Sequence, residues 1–506
     1  MASSGAGSLG RHEREHVSIE KDARDLQALG INVTHTKHDE TSGIFGKVSY
    51  LFRSFAEHEA LSRIEGSATH SLFLNSNDKL GIELLGIYKT EGKDGVLDYL
   101  LSKSHVITPD MKKKATDLLV ENAHLGTDTK LRRYAAKALL ADKKKFKDEG
   151  LIIVSKTDKK GYEKLEVFHL SHGVEIGKGA FNTAKLIRQE VFGTTAAGPK
   201  YKSKEAIHKF SHKAGGDATD DVATLTWATE LNGGKVPKGF QKLPKTAGDN
   251  EQITKYYERT DLAKTHLSAI AALKIMRGPM QALLECERLG VAHTDIKAPN
   301  ILVGEVAIGV LEAVLADFGK VRIFPDLSKL NSLERQAMAK KILAQHLGVD
   351  ARFVHTATYL TYKEAVELQG HLKYILPNLE IIAEGRIPPG GLGYFNKKYN
   401  EMKEHIVKMQ VMQMGKALGV AVLGPVFEYD CVDYTKARYL ESVEPLDLQE
   451  IIYDTFGVNT ELSNDVFTLL NGMLQIDPKN RMSPKDVYYL YENILRHIYK
   501  SSFNTT

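Results

Sequence analysis

Cysteine is scarce in this chain of 506 residues, which contains just Cys286 and Cys431. Two cysteines exclude a disulfide framework and a zinc site built from cysteines, and they suit a reducing compartment. A long apolar run is also missing, so we expect neither a membrane span nor classical secretion, and we predict a cytoplasmic protein. The formal net charge is +4, which is small at this length, so charge predicts no nucleic-acid or membrane partner.

The length predicts two or three domains. Residues 1–42 are small, polar and charged, as in a flexible lead-in. Residues 43–150 have helical periodicity and are predicted to form a helical domain, which could bind a protein partner. From residue 151 the pattern changes to strand-like runs such as 151–154 and 165–170, and from about residue 263 helices dominate.

Two short motifs contain the side chains that are the best candidates for catalysis and metal binding. Residues 293–300 read HTDIKAPN, which is an H-x-D-x-K-x-x-N pattern, and residues 315–319 read LADFG. A carboxylate near an attacking hydroxyl can accept or orient its proton, and a lysine two residues later can reach a moving phosphoryl group. An asparagine and a second aspartate can hold Mg²⁺ against the phosphate oxygens.

These motifs resemble the catalytic loop and the D-F-G metal loop of eukaryotic-like protein kinases. The resemblance covers roughly residues 150–500 and implies that Asp295 and Lys297 are catalytic and that Asn300 and Asp317 hold Mg²⁺. Lys297 indicates the serine/threonine type. The implied fold is α+β and bilobal, with a small β-rich lobe over residues 151–262, a large helical lobe over 263–500, and the helical domain in front. ATP and Mg²⁺ are the implied cofactors.

The strand-rich part resembles the kinase ATP site in two places. Residues 176–184 resemble the glycine-rich loop that folds its backbone N–H groups over phosphates, and Asn182 stands where a third glycine is usual. The predicted loop contacts with ATP are Ile176, Gly177, Lys178, Gly179 and Ala184.

The second place is the strand, helix and hinge that follow. Lys209 is the predicted phosphate-binding lysine, with Lys213 as its competitor, and Glu230 is its predicted helix partner. Residues 253–262 resemble the hinge, where backbone groups of Tyr257 and Glu258 would bind adenine. Asp261 would lie near the ribose, although it could equally cap a turn.

The large lobe departs from the family pattern. Residues 474–483 resemble the late D-P-x-x-R-x-S signature, whose Arg481 would pair with the glutamate of an A-P-E motif. The resemblance of residues 390–394 to G-T-x-G-Y puts Asn-Lys-Lys at 396–398 in the A-P-E position. A lysine would repel Arg481, so we expect this buried pair to be either rewired or lost, and Glu401 or Glu404 could substitute. Gln410 stands where the core helix usually has an aspartate.

The segment after the D-F-G loop is also unusual. Residues 320–389 form a long insert, which we predict to be folded and to contain a helix near residues 333–347. Many kinases have an arginine before the catalytic aspartate, where it receives a phosphate on the activation segment. Here that residue is Thr294, so we expect no requirement for phosphorylation of the segment.

Three functions remain open at this point. The first is a protein kinase acting on serine or threonine hydroxyls of a protein substrate. The second is a pseudokinase that binds ATP as a scaffold, which the altered substrate side favours. The third is a kinase-like enzyme that phosphorylates a small molecule. The divergent insert also suits a microbial kinase delivered into a host cytoplasm, as an alternative location.

Overall fold

The computed structural model is a mixed structure of helices and strands, compatible with the α+β class. The residues that it describes are 33–38, 69–74, parts of 87–119, 129–140, 150–157, 161–178, 182–195, 198–211, 217–248, 251–259, 261–319, 321–345, 361–424, 427, 432–433, 442–443 and 445–503. The chain divides into two compact units, one of Met1–Val174 with Leu186–Ala206 and one of Glu175–Lys185 with Ile207–Thr506. The predicted domain boundaries at residues 42, 150 and 262 stay predictions.

The first unit contains strands and a helix. Strand β1 (Val33–His38) pairs antiparallel with β2 (Thr69–Leu74), and helix α1 covers Thr129–Leu139. Strand β3 (Leu151–Thr157) pairs antiparallel with β4 (Glu163–Lys178), as the strand-like runs in this part of the sequence predict. Most of β4, β5 (Asn182–Thr195) and β6 (Gly198–Ser211) also belongs to this unit, and their remaining ends belong to the second.

A buried carboxylate joins α1 to the strands of the first unit. Glu190 on β5 is fully buried; Arg132 Nη2 on α1 donates to it at 2.6 Å, and His169 Nε2 on β4 lies 2.9 Å away. Tyr201 Oη and Arg188 Nη2 donate to it at 2.8 Å and 3.2 Å. Burial alone would raise the pKa of Glu190, but the hydrogen bonds from His169 and Arg132 outweigh burial and hold that pKa well below its usual range.

The second unit begins with the ends of β4, β5 and β6 and with a helix. Helix α2 covers Asp217–Leu231, and strands β7 (Lys245–Gly248) and β8 (Glu251–Lys255) pair antiparallel. Two further antiparallel pairs follow. Strand β9 (Val291–Ala292) pairs with β12 (Arg322–Ile323), and β10 (Ile301–Ala307), which lies between them in the chain, pairs with β11 (Val310–Leu315). The short strands β13 (Val432–Asp433) and β14 (Ser442–Val443) also pair.

The remaining long elements that the structure describes in the second unit are helices, and one core of buried apolar side chains runs through them. They are α3 (Ala269–Ile275), α4 (Arg277–Leu289), α5 (Ser332–Ala344), α6 (Tyr362–Ala383), α7 (Gly391–Leu423), α8 (Pro445–Phe456), α9 (Glu461–Met473) and α10 (Pro484–Phe503). The apolar stripe from Leu273 to Leu289 predicts a single long helix. The structure instead divides it at Met276, whose backbone ends α3 and begins α4.

Local sequence signals explain where the helices begin and end. Asn331 with Glu334, and Thr361 with Glu364, form capping boxes at the starts of α5 and α6. Gly290 ends α4 in a left-handed conformation with φ of 69°, and a Cβ atom there would lie 1.9 Å from the carbonyl oxygen of Phe324. Because no other residue fits that space, Gly290 lets α4 turn directly into β9 and the loop that follows.

The long insert is folded where the structure describes it. Helix α5 corresponds to the helix predicted near residues 333–347, and α6 packs between α5 and α7. By length and composition, helix α7 is long and apolar enough to cross a membrane. This differs from our expectation that the chain has no apolar run of that length. In the structure, 72% of the most apolar stretch of α7 is buried within the protein, as in a core helix.

Candidate active site

The loop after β9 brings three of the predicted residues together. Lys297 Nζ donates to Asp295 Oδ2 at 2.8 Å. Asn300 lies in the 3₁₀ turn Ala298–Asn300, and its Nδ2 donates to the backbone oxygen of Asp295 at 2.8 Å and to its Oδ2 at 3.2 Å. These contacts leave the amide oxygen of Asn300 as the atom of that side chain that can bind a cation.

Buried groups support the loop from behind. His293 Nε2 lies 2.9 Å from the carbonyl oxygen of Ala316, and its ring meets the ring of Phe318 edge-on at 5.2 Å. Phe318 also packs on Phe240 at 4.7 Å between ring centroids. Burial lowers the pKa of His293, so its ring stays neutral at physiological pH and acts as a packing and hydrogen-bonding element. The backbone N–H of His293 donates to Gln410 Oε1 at 2.8 Å. Gln410 is the residue that stands where the resembled family usually has an aspartate.

Lys209 lies between two aspartates, one in the D-F-G loop and one on α2. Lys209 Nζ on β6 lies 3.1 Å from Asp317 Oδ1 and 3.0 Å from Asp221 Oδ2 on α2. Burial would lower the pKa of Lys209, but the charges of Asp221 and Asp317 outweigh burial and raise it. Burial would raise the pKa of Asp317, yet Lys209 pulls it below its ordinary value, so Asp317 is ionised and able to bind a cation.

The predicted partner of Lys209 is corrected by this geometry. Glu230 accepts instead from Lys341 Nζ at 2.8 Å and is 59% exposed. Asp221 takes the predicted place of Glu230, and Gln252 Nε2 holds it from the other side at 2.7 Å. The two acids are nine positions apart on α2, which is about 13.5 Å along a helix axis, so both cannot reach Lys209.

A periodicity signal could have found Asp221. It lies on the buried stripe of α2, whose other members follow at helical spacing: Thr224, Leu225 and Ala228. Glu230 is off that stripe. An acid on the buried face of this helix is therefore a better candidate for a buried lysine than an acid on its exposed face.

The predicted hinge residues have different environments. Tyr257 is 3% exposed, and burial raises the pKa of its phenol to about 12, so its ring is part of the packing. Glu258 Oε2 accepts from the backbone N–H of Glu305, which turns its side chain toward β10. Asp261 accepts from the backbone N–H of Lys264 at 3.1 Å and pairs with its Nζ at 3.0 Å. Asp261 therefore caps a turn.

One cavity of about 650 Å³ collects most of the predicted site. Its lining includes the predicted residues Ile176, Gly177, Lys178, Ala184, Lys209, Tyr257, Asp261, Asp295, Lys297, Asn300 and Asp317. Asp221, Gln252 and His293 also line it, whereas Glu230 and the Glu258 side chain make the contacts described above. Gly179 lies outside the described residues. The cavity is therefore lined both by the end of β4, which carries Gly177, and by Asp317 of the D-F-G loop.

The donors in this cavity suit a hard divalent cation. Within the described ranges, no group of three or more His, Cys, Asp or Glu side chains is arranged to hold a metal. Magnesium needs fewer, because it binds through one or two carboxylates together with substrate phosphates and keeps several waters. The Asn300 amide oxygen and the ionised Asp317 carboxylate both line the cavity and fit that requirement.

The late signature has a partner that the sequence does not predict. Arg481 Nη1 donates to Glu364 Oε1 at 2.6 Å, and both side chains are buried. Glu364 comes from α6, inside the insert. The two predicted substitutes differ: Glu401 accepts from Lys398 at 2.7 Å, and Glu404 is exposed. Glu364, which also forms the capping box with Thr361, is thus the acid that reaches Arg481.

Comparison with known proteins found one distant relative. No protein-family profile matches the chain. Over 159 residues the chain is 28% identical to a protein described as "Cyclin-dependent kinase F-1" from Oryza sativa subsp. japonica. The match covers 31% of this chain and 27% of that protein, so it spans about a quarter of the relative's length. The chain therefore has a distant and partial similarity to a protein kinase.

Proposed function

We propose that this chain is a Mg-ATP-dependent protein kinase that transfers the γ-phosphate of ATP to serine or threonine hydroxyls of a protein substrate. The observation that carries the proposal is the shared cavity, in which the acid, the lysines and the two oxygen ligands of a phosphoryl-transfer site converge. The distant similarity to a kinase supports it. A bilobal kinase fold and a cytoplasmic location go with this function.

Each polar residue has a separate part in the proposed reaction. Asp295 would accept or orient the proton of the attacking hydroxyl, and the Lys297 ion pair at 2.8 Å would hold its carboxylate in place. Lys297 would also face the phosphoryl group as it moves. Lys209 is held by Asp221 and Asp317 and would bind the phosphates that stay with the leaving group.

The metal would be held by Asn300 and Asp317. Bound there, Mg²⁺ would supply the positive charge that stabilises the phosphate groups during transfer. The end of β4 that contains Gly177 and Lys178 would cover the phosphates, and the backbone beside Tyr257 would bind the base. Positioning and charge stabilisation account for most of such a reaction, because little covalent chemistry falls to the protein.

The test is phosphoryl transfer by the full chain with radiolabelled ATP and Mg²⁺, using a mixture of generic protein substrates. Asp295→Asn keeps the shape of the side chain but loses the basic oxygen, so transfer should fall on the order of 10²–10⁴-fold while ATP binding stays nearly intact. Asp447→Asn, an exposed aspartate on α8, is the matched control and should retain wild-type transfer.

The outcomes separate the three functions. Label on protein that depends on Asp295 supports the proposal. ATP binding without transfer to any acceptor would indicate the scaffold alternative, and transfer to a small molecule alone would indicate the small-molecule kinase. Full turnover by Asp295→Asn would show that the catalytic assignment is wrong.

A further inference from the structure

The backbone on both sides of Asp295 is bonded to one buried side chain. Gln413 on α7 donates through Nε2 to the carbonyl oxygen of Thr294 at 2.6 Å. Its Oε1 accepts from the backbone N–H of Ile296 at 3.3 Å. The two peptide groups that flank the aspartate are thus clamped by the two ends of a single amide. Gln413 itself is fully buried.

The remaining backbone groups of Asp295 are bonded within the loop. Its N–H donates to the carbonyl oxygen of His293 at 2.7 Å, and its own carbonyl oxygen accepts from Asn300 Nδ2 at 2.8 Å. Thr294 has φ of 52°, a conformation that residues with a Cβ atom seldom adopt. This uncommon backbone shape is costly. A hydrogen bond from outside the loop on each side of Asp295 therefore helps to hold the loop in it.

The bonding partners determine the orientation of the Gln413 amide. A backbone N–H can only donate, so the atom facing Ile296 must be the oxygen. A carbonyl can only accept, so the atom facing Thr294 must be the nitrogen. A carboxylate at this position would supply acceptors alone, and an apolar side chain would supply neither group.

We propose that Gln413 is a positioning residue that sets the direction of the Asp295 carboxylate through the peptide groups on either side of it. This inference rests on the proposed kinase function. Gln413 does not line the cavity, and it acts from the core helix α7 on a loop 119 residues earlier in the chain. Its effect should therefore fall on the chemical step and spare nucleotide binding.

The test compares Gln413→Met with the wild-type chain. Methionine matches glutamine in length and fills the same space without either hydrogen bond. We expect kcat to fall by roughly 10–100-fold, since a misplacement of about 1 Å can cost on the order of 10²-fold, while KM for ATP changes by less than about twofold. Hydrogen exchange of the Ile296 amide should accelerate in the variant, because its acceptor is lost.

Met402→Ala is the matched control for stability. Met402 is fully buried on the same helix, about three turns before Gln413, so its truncation should also lower the melting temperature. We expect the control to keep wild-type kcat in its folded fraction. If both variants lower kcat equally at matched stability, Gln413 has a structural role alone and the inference is overturned.

A second variant decides the question if Gln413→Met does not fold. Gln413→Asn keeps an uncharged amide on a side chain one methylene shorter, so it weakens both bonds without burying a charge, and we expect a smaller fall in kcat with an unchanged KM for ATP. A wild-type kcat in either folded variant overturns the inference and leaves the kinase assignment intact. A wild-type chain that transfers no phosphate overturns both.

Discussion

Arg481 and Glu364 form a buried ion pair that joins the insert to the late signature of the large helical part. Their closest atoms lie 2.6 Å apart, and the two side chains are 0% and 1% exposed. Arg481 also donates to the backbone oxygens of Lys408 at 2.6 Å and Gln475 at 2.9 Å. The guanidinium is thus fully enclosed, and it bonds three separate segments of the chain.

Loss of this pair should destabilise the fold strongly. In Glu364→Gln a buried guanidinium loses its counter-charge, which typically costs about 3–5 kcal/mol. We expect a clear fall in the unfolding midpoint in chemical denaturation. Glu367→Gln on the same helix is the control, because Glu367 is 43% exposed and its change should cost less than about 0.5 kcal/mol. Equal midpoints for the two variants would contradict this account.

The choice between Asp221 and Glu230 as the lysine partner can be tested directly. Asp221→Asn removes one of the two charges that hold Lys209, so we expect kcat/KM for ATP to fall on the order of 10–100-fold. Glu230→Gln, on the exposed face of the same helix, should change it by less than about twofold. The reverse ranking of the two variants in steady-state kinetics would restore the prediction made from the sequence.

Phosphorylation of the segment after the D-F-G loop should be dispensable. Thr294 is buried and neutral, and the segment already has its own contacts: Gln345 bonds the backbone of Ile323 at 2.9 Å, and Lys341 Nζ lies 4.7 Å over the Trp227 ring. Ser328 already donates to Asp326, whose charge would oppose a phosphate there.

The measurement for this prediction is the transfer rate before and after phosphatase treatment. Mass spectrometry should first confirm that the candidate sites are bare; Ser328 and Ser332 are described, and Thr356 and Thr358 lie outside the described residues. We expect the rate to change by much less than tenfold. A larger fall, equal to roughly 1.4 kcal/mol in barrier, would indicate a phosphate receiver elsewhere in the chain.

The Glu190 cluster should make the first unit acid-sensitive. Because the pKa of Glu190 is lower in the folded state than in the unfolded state, its contribution to stability is present above the unfolded value of roughly 4.3 and is lost as the pH falls below it. Glu190→Gln should therefore be much less stable than wild type near neutral pH. The difference should shrink as the pH falls to about 3.

Denaturation followed by far-ultraviolet circular dichroism, repeated at several pH values, measures this difference. The control is Glu163→Gln, which removes a 31% exposed partner of Lys137 at 3.0 Å and should cost little at any pH. A gap between wild type and Glu190→Gln that stays constant down to about pH 3 would show that the buried carboxylate is not the group that titrates.

The groups to which we assign the proposed chemistry could be predicted from the local sequence. Asp295, Lys297 and Asn300 lie within six consecutive positions, and their contacts with each other follow from the short loop that carries them. The start of α6 was equally local, since Thr361 and Glu364 form a capping box that can be recognised from their spacing. Such features depend on neighbours in the chain, which the sequence displays directly.

Contacts between side chains that are distant in the chain depend instead on the tertiary structure. Glu364 and Arg481 are 117 residues apart, and Gln413 is 119 residues from Thr294, so no spacing rule connects them. The helical periodicity of α2 distinguishes Asp221 from Glu230, but the contact of Asp221 with Lys209 on β6 depends on how that buried face packs. A buried charge or amide selects the partner that packing brings within about 3 Å, and that selection depends on the assembled core.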